Sequence, residues 1–508
     1  MQHRWRHMMI GTTLALLLTG LAVPPAGADH PEASHSGLDL QFSSQNSTDA
    51  TNSDLAFWGD LAVAGNYNGF RIFDISTDPP TLVTNYLCDG PQNDVSLWDR
   101  DGDGEADILF LSVDQVMENE LCGAPRQIPV TGPYDADDWE GIRIFDISDP
   151  ALPVQIDTIY QDCGSHTHTL VPDLDGNRVL LYNSSYSLRS GPTCGPVEGP
   201  AAGRAPDHGV IQVSEVSWDP DAPLAGVTAS EIAEPAINYP GDPDNVFDPC
   251  PHGGVLCEPD FHPLRACHDV GVHLGVMKAV GACAEQTQLW NIDPDTLLPD
   301  TADPVWVFDD PTDTDGPGGG DVAIDFMHTA RFTWDGKFVQ ADDESFGSGC
   351  PPTTTIDGVP SDTGRTHFLR GSDGKRLSIF MIPRPDASAG SYCSMHQGNM
   401  IPAPGRYLSV NAWYTGGVNI IDFTSKTNPK EIAYFDFTGD GVFGSDNWAH
   451  YWYETNPKPG SPVWTFGQDG VHNPPTGRGF EVFTASVGIG KRAGVDHMNP
   501  QTIEATLP

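Results

Sequence analysis

Short runs of alternating apolar and polar residues, each bounded by Gly, Pro, Asp or Asn, fill the chain from about residue 38 to residue 486. A period of two turns one face of a segment toward a core and the other away, which is the signature of strands. The 3.6-residue period of an amphipathic helix is almost absent. The runs fall into groups at about 53–89, 93–163, 166–233, 267–309, 326–392, 396–438 and 448–486. Each group holds four runs except the last, which has three, at 448–454, 462–466 and 479–484. An isolated strand pattern at residues 38–42 precedes the first group and is expected to supply the missing outer strand.

Three segments repeat almost word for word: Gly69-Phe-Arg-Ile-Phe-Asp-Ile-Ser76, Gly141-Ile-Arg-Ile-Phe-Asp-Ile-Ser148 and Gly417-Val-Asn-Ile-Ile-Asp-Phe-Thr424. A turn containing Pro and another apolar strand follow each one. The pattern resembles the LVIVD repeat, with looser copies at 288–293, 377–382 and 480–486. That resemblance implies an all-β fold, a seven-bladed β-propeller closed by the N-terminal strand at 38–42. Repeats stacked around one axis also explain how so long a chain can form one domain at 29–486, with a tail at 487–508.

Composition adds a compartment. Arg4 and Arg6, an apolar run at 10–23 and the small residues Ala26-Gly27-Ala28 are expected to form a signal peptide spanning 1–28, giving a secreted protein. No later run is long and apolar enough to suggest a membrane span. Ten cysteines, none in a Cys-x-x-Cys pair, favour disulfides over zinc. The formal charge of −45 becomes −47 once the leader's two arginines are removed. Such a surface excludes nucleic acid as a partner.

Sorting loops by blade position sends the long ones to one face. Residues 114–139, 185–208 and 345–374 join second to third strands, while 234–265 and 310–324 join blades. Cys122, Cys194, Cys250, Cys257 and Cys350 fall in these loops, and Cys88, Cys163, Cys267, Cys283 and Cys393 sit at strand ends on the same side. The expected pairs are neighbours in sequence: 88–122, 163–194, 250–257, 267–283 and 350–393. Disulfide-pinned loops with little core of their own mark a working face.

Five inner strands begin near a histidine on that face: His168, His268, His328, His396 and His450. Imidazoles at one level could hold Fe, Cu or Zn, with His166, Asp269, Glu344 and Trp413 near the same rim. The alternative is structural: a polar residue copied into each blade that bonds its neighbour's backbone. On the opposite face, Asp99, Asp101, Asp103, Glu105 and Asp107 alternate in a Gly-rich turn that could bind Ca2+. No nucleophile elbow, P-loop or His-Glu-x-x-His motif is present. The first functional expectation is therefore a binding scaffold that takes a protein or small-molecule ligand on its loop-rich face. The competing class is a metal-dependent enzyme, oxidoreductase-like, at the channel mouth.

Overall fold

The computed structural model describes residues 33–46, 50–126, 135, 137–174, 176–184, 192, 208–219, 226–238, 266–283, 286–309, 327–344, 355–356, 359–360, 364–384, 393–437, 447–469 and 478–507. The proposed leader at 1–28 lies outside them, as do Cys194, Cys250, Cys257 and Cys350.

Seven antiparallel sheets form the blades of a β-propeller, and no α-helix occurs among the described residues. The inner strands are Asn52–Trp58, Gln92–Trp98, Thr167–Pro172, Val270–His273, Met327–Phe332, Gly398–Ile401 and Asn447–Trp452, for blades 1 to 7 in turn. Each blade buries apolar side chains on both faces because it packs between two others. One apolar cluster accordingly fills every seam, such as Leu55, Phe57, Tyr451, Phe466 and Phe480 between blades 7 and 1. Seven seams confirm the blade count independently of the strand order.

Closure follows the sequence expectation. The strand Leu38–Gln45 pairs antiparallel with Gly479–Ala485 and becomes the outer strand of blade 7. Ala33–Ser36 goes further and pairs with Lys430–Phe437, adding a fifth strand to blade 6. Gly37 lies between them at φ 72°, in the left-handed region, where the chain turns from one blade to the next.

The C-terminal segment is not a loose tail. His497–Met498 pairs with the lower end of the inner strand of blade 1, and Thr502–Ile503 pairs parallel with that of blade 4. Between them, Asn499 bonds both the N–H and the carbonyl of Leu97 in blade 2. Thr502 donates to the carbonyl of Leu170 in blade 3, at 2.7 Å. The segment therefore crosses the lower end of the channel, opposite the face where the inner strands begin.

Cys88–Cys122 and Cys267–Cys283 are disulfides, as expected. Cys163 and Cys393 are also disulfide-bonded, and no described cysteine is free. Mass spectrometry of unreduced mature protein should therefore find no free thiol. Two or more alkylatable cysteines would break the assignment of the remaining pairs. Reduction should weaken the fold by about 2–4 kcal/mol for each structural bond lost.

Candidate functional site at the channel mouth

Where the inner strands begin, side chains of blades 3 to 7 form a continuous arc. Ring centroids run from His166 to His268 at 4.7 Å, to His328 at 3.5 Å, to His396 at 4.2 Å, and on to Trp448 at 4.5 Å. Three of the five expected histidines, His268, His328 and His396, stand in this row. Blade 3 contributes His166 instead of His168, and blade 7 contributes Trp448 instead of His450.

His168 and His450 lie lower and are used inside the protein. The two ring nitrogens of His168 bond the hydroxyls of Ser96 and Ser112 at 2.6 and 2.7 Å. Those of His450 bond Thr465 Oγ1 at 2.8 Å and the Asn411 carbonyl at 3.3 Å. Burial holds both imidazoles down at about 3, so they stay neutral hydrogen-bonding groups. Trp413, expected near the rim, instead packs in the seam between blades 5 and 6, its indole N–H on Asn419.

Two carboxylates join the row. Glu344 follows the second strand of blade 5, with its oxygens 3.4 Å from His328 Nε2 and 4.0 Å from His396 Nε2. His396 Nδ1 bonds the Trp448 carbonyl at 2.6 Å, so this nitrogen carries the proton and Nε2 is left as a lone-pair donor toward Glu344. Ligand atoms of His328, Glu344 and His396 all lie within 4.8 Å of one another, as do those of His268, Asp269 and His328. Two ligands about 2.1 Å from a tetrahedral ion stand about 3.4 Å apart, so the Glu344 trio is close to coordination spacing.

The electrostatics suit a cation. Burial lowers the imidazoles of His268, His328 and His396, the last to about 3, keeping them in the neutral form that ligates metals. Burial also pushes the Glu344 carboxyl up to about 8, although the Tyr414 hydroxyl bonds its Oε1. Tyr414 makes that contact from the left-handed region, at φ 43°, an uncommon conformation for a bulky residue. Burial would raise Asp269 too, yet its bonds to His268, Gln397 and Thr167 hold it below the usual range. Gln501 rises from the C-terminal segment to bond the same carboxylate at 3.2 Å, forming the floor of the site.

Backbone bonding runs along the arc as well. His268 bonds the backbone of His328, and His328 that of His396, as His396 does that of Trp448. The structural role foreseen for copied polar residues is thus present in the row, alongside the convergence that a metal requires.

Sequence reasoning missed Tyr414, Asp114 and Glu140. Trp448, whose alternating aromatic strand reads as core packing or as a sugar-stacking surface, takes the place of a histidine. Tyr414 and Asp114 stand, like Glu344 and Tyr67, at the upper end of a second strand. That shared repeat position was the signal available for finding them.

On the lower face, the acidic turn draws together Asp99, Asp101 and Asp107, while Asp103 and Glu105 stay exposed outside the group. The two oxygens of Asp99 accept the amides of Gly102 and Gly104, each at 2.7 Å, and Asp107 accepts Arg100 N–H and the Ser148 hydroxyl. The turn is thereby organised by its own backbone.

No family model matches the chain. No curated protein matches it either. A solved structure described as the Dos1 propeller is similar at 11% identity, covering 88% of this chain and 80% of its own, with a TM-score of 0.43. A likeness that low carries no functional argument.

Proposed function

We propose that the protein is a secreted LVIVD-type propeller that works as a metal-dependent enzyme, with its ion held by His328, His396 and Glu344 at the channel mouth. One observation carries the reading: His396 is fixed by the Trp448 carbonyl so that Nε2 faces Glu344, which also faces His328 Nε2. A backbone acceptor on the far nitrogen is how metal-binding histidines are usually oriented. Two histidines and one carboxylate leave coordination positions open, the set used by iron(II) sites in oxidative chemistry. His268 and Asp269 stand next to this set and complete its polar wall. Export is supported by the two disulfides, which belong to oxidising compartments. For the lower turn, we propose Ca2+ held by Asp99, Asp101 and Asp107 as a clip on blade 2, without a part in the reaction.

The test is metal analysis of protein made without a histidine tag. About one transition-metal ion per chain is expected, along with its complete loss in His328→Ala, a variant that should still fold cooperatively but melt lower, because it loses both the ion and a buried ring bonded to the His396 backbone. Metal-free wild type would sink this reading. The second reading, a binding scaffold using the loop-bearing face, would then stand, supported by the Cys88–Cys122 bond that pins one of those loops.

A further inference from the structure

Beyond the histidine row, the upper end of the seam between blades 2 and 3 holds two acids with unmet bonding. Glu140 is 1% exposed, and its Oε1 has no hydrogen-bond partner among the described residues. Asp114 spends Oδ2 on His166 Nδ1 at 2.7 Å, while its Oδ1 is buried without a partner. Among the described residues neither acid meets a Lys or Arg, and Asp114 is paired with His166. A carboxylate cut off from water and from donors is costly for a fold to hold. Burial accordingly pushes the Glu140 carboxyl well up, with Asp114 and Asp162 adding to the effect.

Gly164 lies against both acids and leaves no room for a side chain there. A Cβ there would lie 3.1 Å from Asp114 Cα and 3.2 Å from Glu140 Oε2. The residue sits at φ 74°, where a side chain would also strain the backbone. The pair adjoins the candidate centre directly, since His166 is the ring next to His268.

We propose that Glu140 and Asp114, beside His166, form a recognition position for the ammonium group of a small organic ligand. This rests on the arc being the working site, and it assigns the charge of what that site takes. Asp114, Glu140 and His166 do not draw together within 4.8 Å as the Glu344 trio does, which speaks against a second metal ion here. Two acids with unmet acceptors call instead for a cation that brings its own hydrogen-bond donors, as an ammonium group does. The protein's formal charge of −45 works in the same direction, repelling anions from the approach.

The experiment is calorimetric titration of the mature protein, metal-loaded and metal-free, with n-butylammonium, n-butanol and butyrate. Butylammonium should bind at least tenfold more tightly than the other two. Glu140→Gln, which keeps the shape and removes the charge, and Asp114→Asn should each reduce that preference by about tenfold. Thermal unfolding of both variants checks that the fold is kept. Equal binding of the amine and the alcohol, or wild-type affinity in both variants, would overturn the proposal. The two readings fail separately. Metal binding without amine preference sinks this one alone, and amine preference in a protein that takes no metal sinks the metal centre alone.

Discussion

Deleting residues 29–45 should leave a chain that does not fold on its own. The strand Leu38–Gln45 supplies the whole outer edge of blade 7, and Leu38 is fully buried in the seam with blade 6. Without it, Gly479–Ala485 exposes an unpaired edge, a template for aggregation. Arg71, buried at 1% exposure, would also lose the Ser44 carbonyl that accepts its Nη1 at 2.8 Å. A buried guanidinium stripped of an acceptor adds to the cost. Together these losses are comparable to the about 5–15 kcal/mol that holds an ordinary domain folded. Urea unfolding and solubility measure the effect, and adding the peptide 29–45 in trans should restore folding by strand addition. A deletion variant that unfolds like wild type would refute closure by this strand.

The architecture was legible because its signals are local and repeated. A two-residue period, turns rich in Gly and Pro, and three nearly identical core strands were enough to count blades and assign the closing strand. The same period limited the reading of the site. Residues two apart in a strand share a face, so His166 and His168 were equivalent on pattern alone, as were Trp448 and His450. In blades 4, 5 and 6 one histidine stands at the strand start, and those three assignments place His268, His328 and His396 in the row. Irregular pairing between Met327 and Thr329, and between Asn447 and Ala449, shifts the register just where the arc lies. Bulges re-aim side chains in this way, and nothing in a hydrophobic pattern announces them. The path of the C-terminal segment was illegible for another reason. Its paired stretches, His497–Met498 and Thr502–Ile503, are two residues long and form no alternating run.

Ending the chain after Gly494 should give a protein that still folds but is much less stable, in contrast to the N-terminal deletion. The blades would remain closed, because the strand at Leu38–Gln45 is untouched. What would be lost is the set of partners at the lower channel end. Gly59 N–H loses the Asp496 carbonyl, and Val272 N–H loses that of Gln501. Leu97 loses Asn499 at both its N–H and its carbonyl, and the Leu170 carbonyl loses Thr502. Orphaning a buried backbone group costs about 1–3 kcal/mol, so five groups amount to at least about 5 kcal/mol where water does not replace the partners. The melting temperature should fall by on the order of 10 °C, with unfolding still cooperative. Asp269 would also lose Gln501 while keeping Gln397, at 2.6 Å, so any bound metal should be held more weakly instead of being lost outright. Asn499→Ala isolates the largest single part, since it strips both Leu97 groups without shortening the chain. If the truncated chain melts like wild type, water fills the lower channel as well as the segment does, and the segment is packing without consequence.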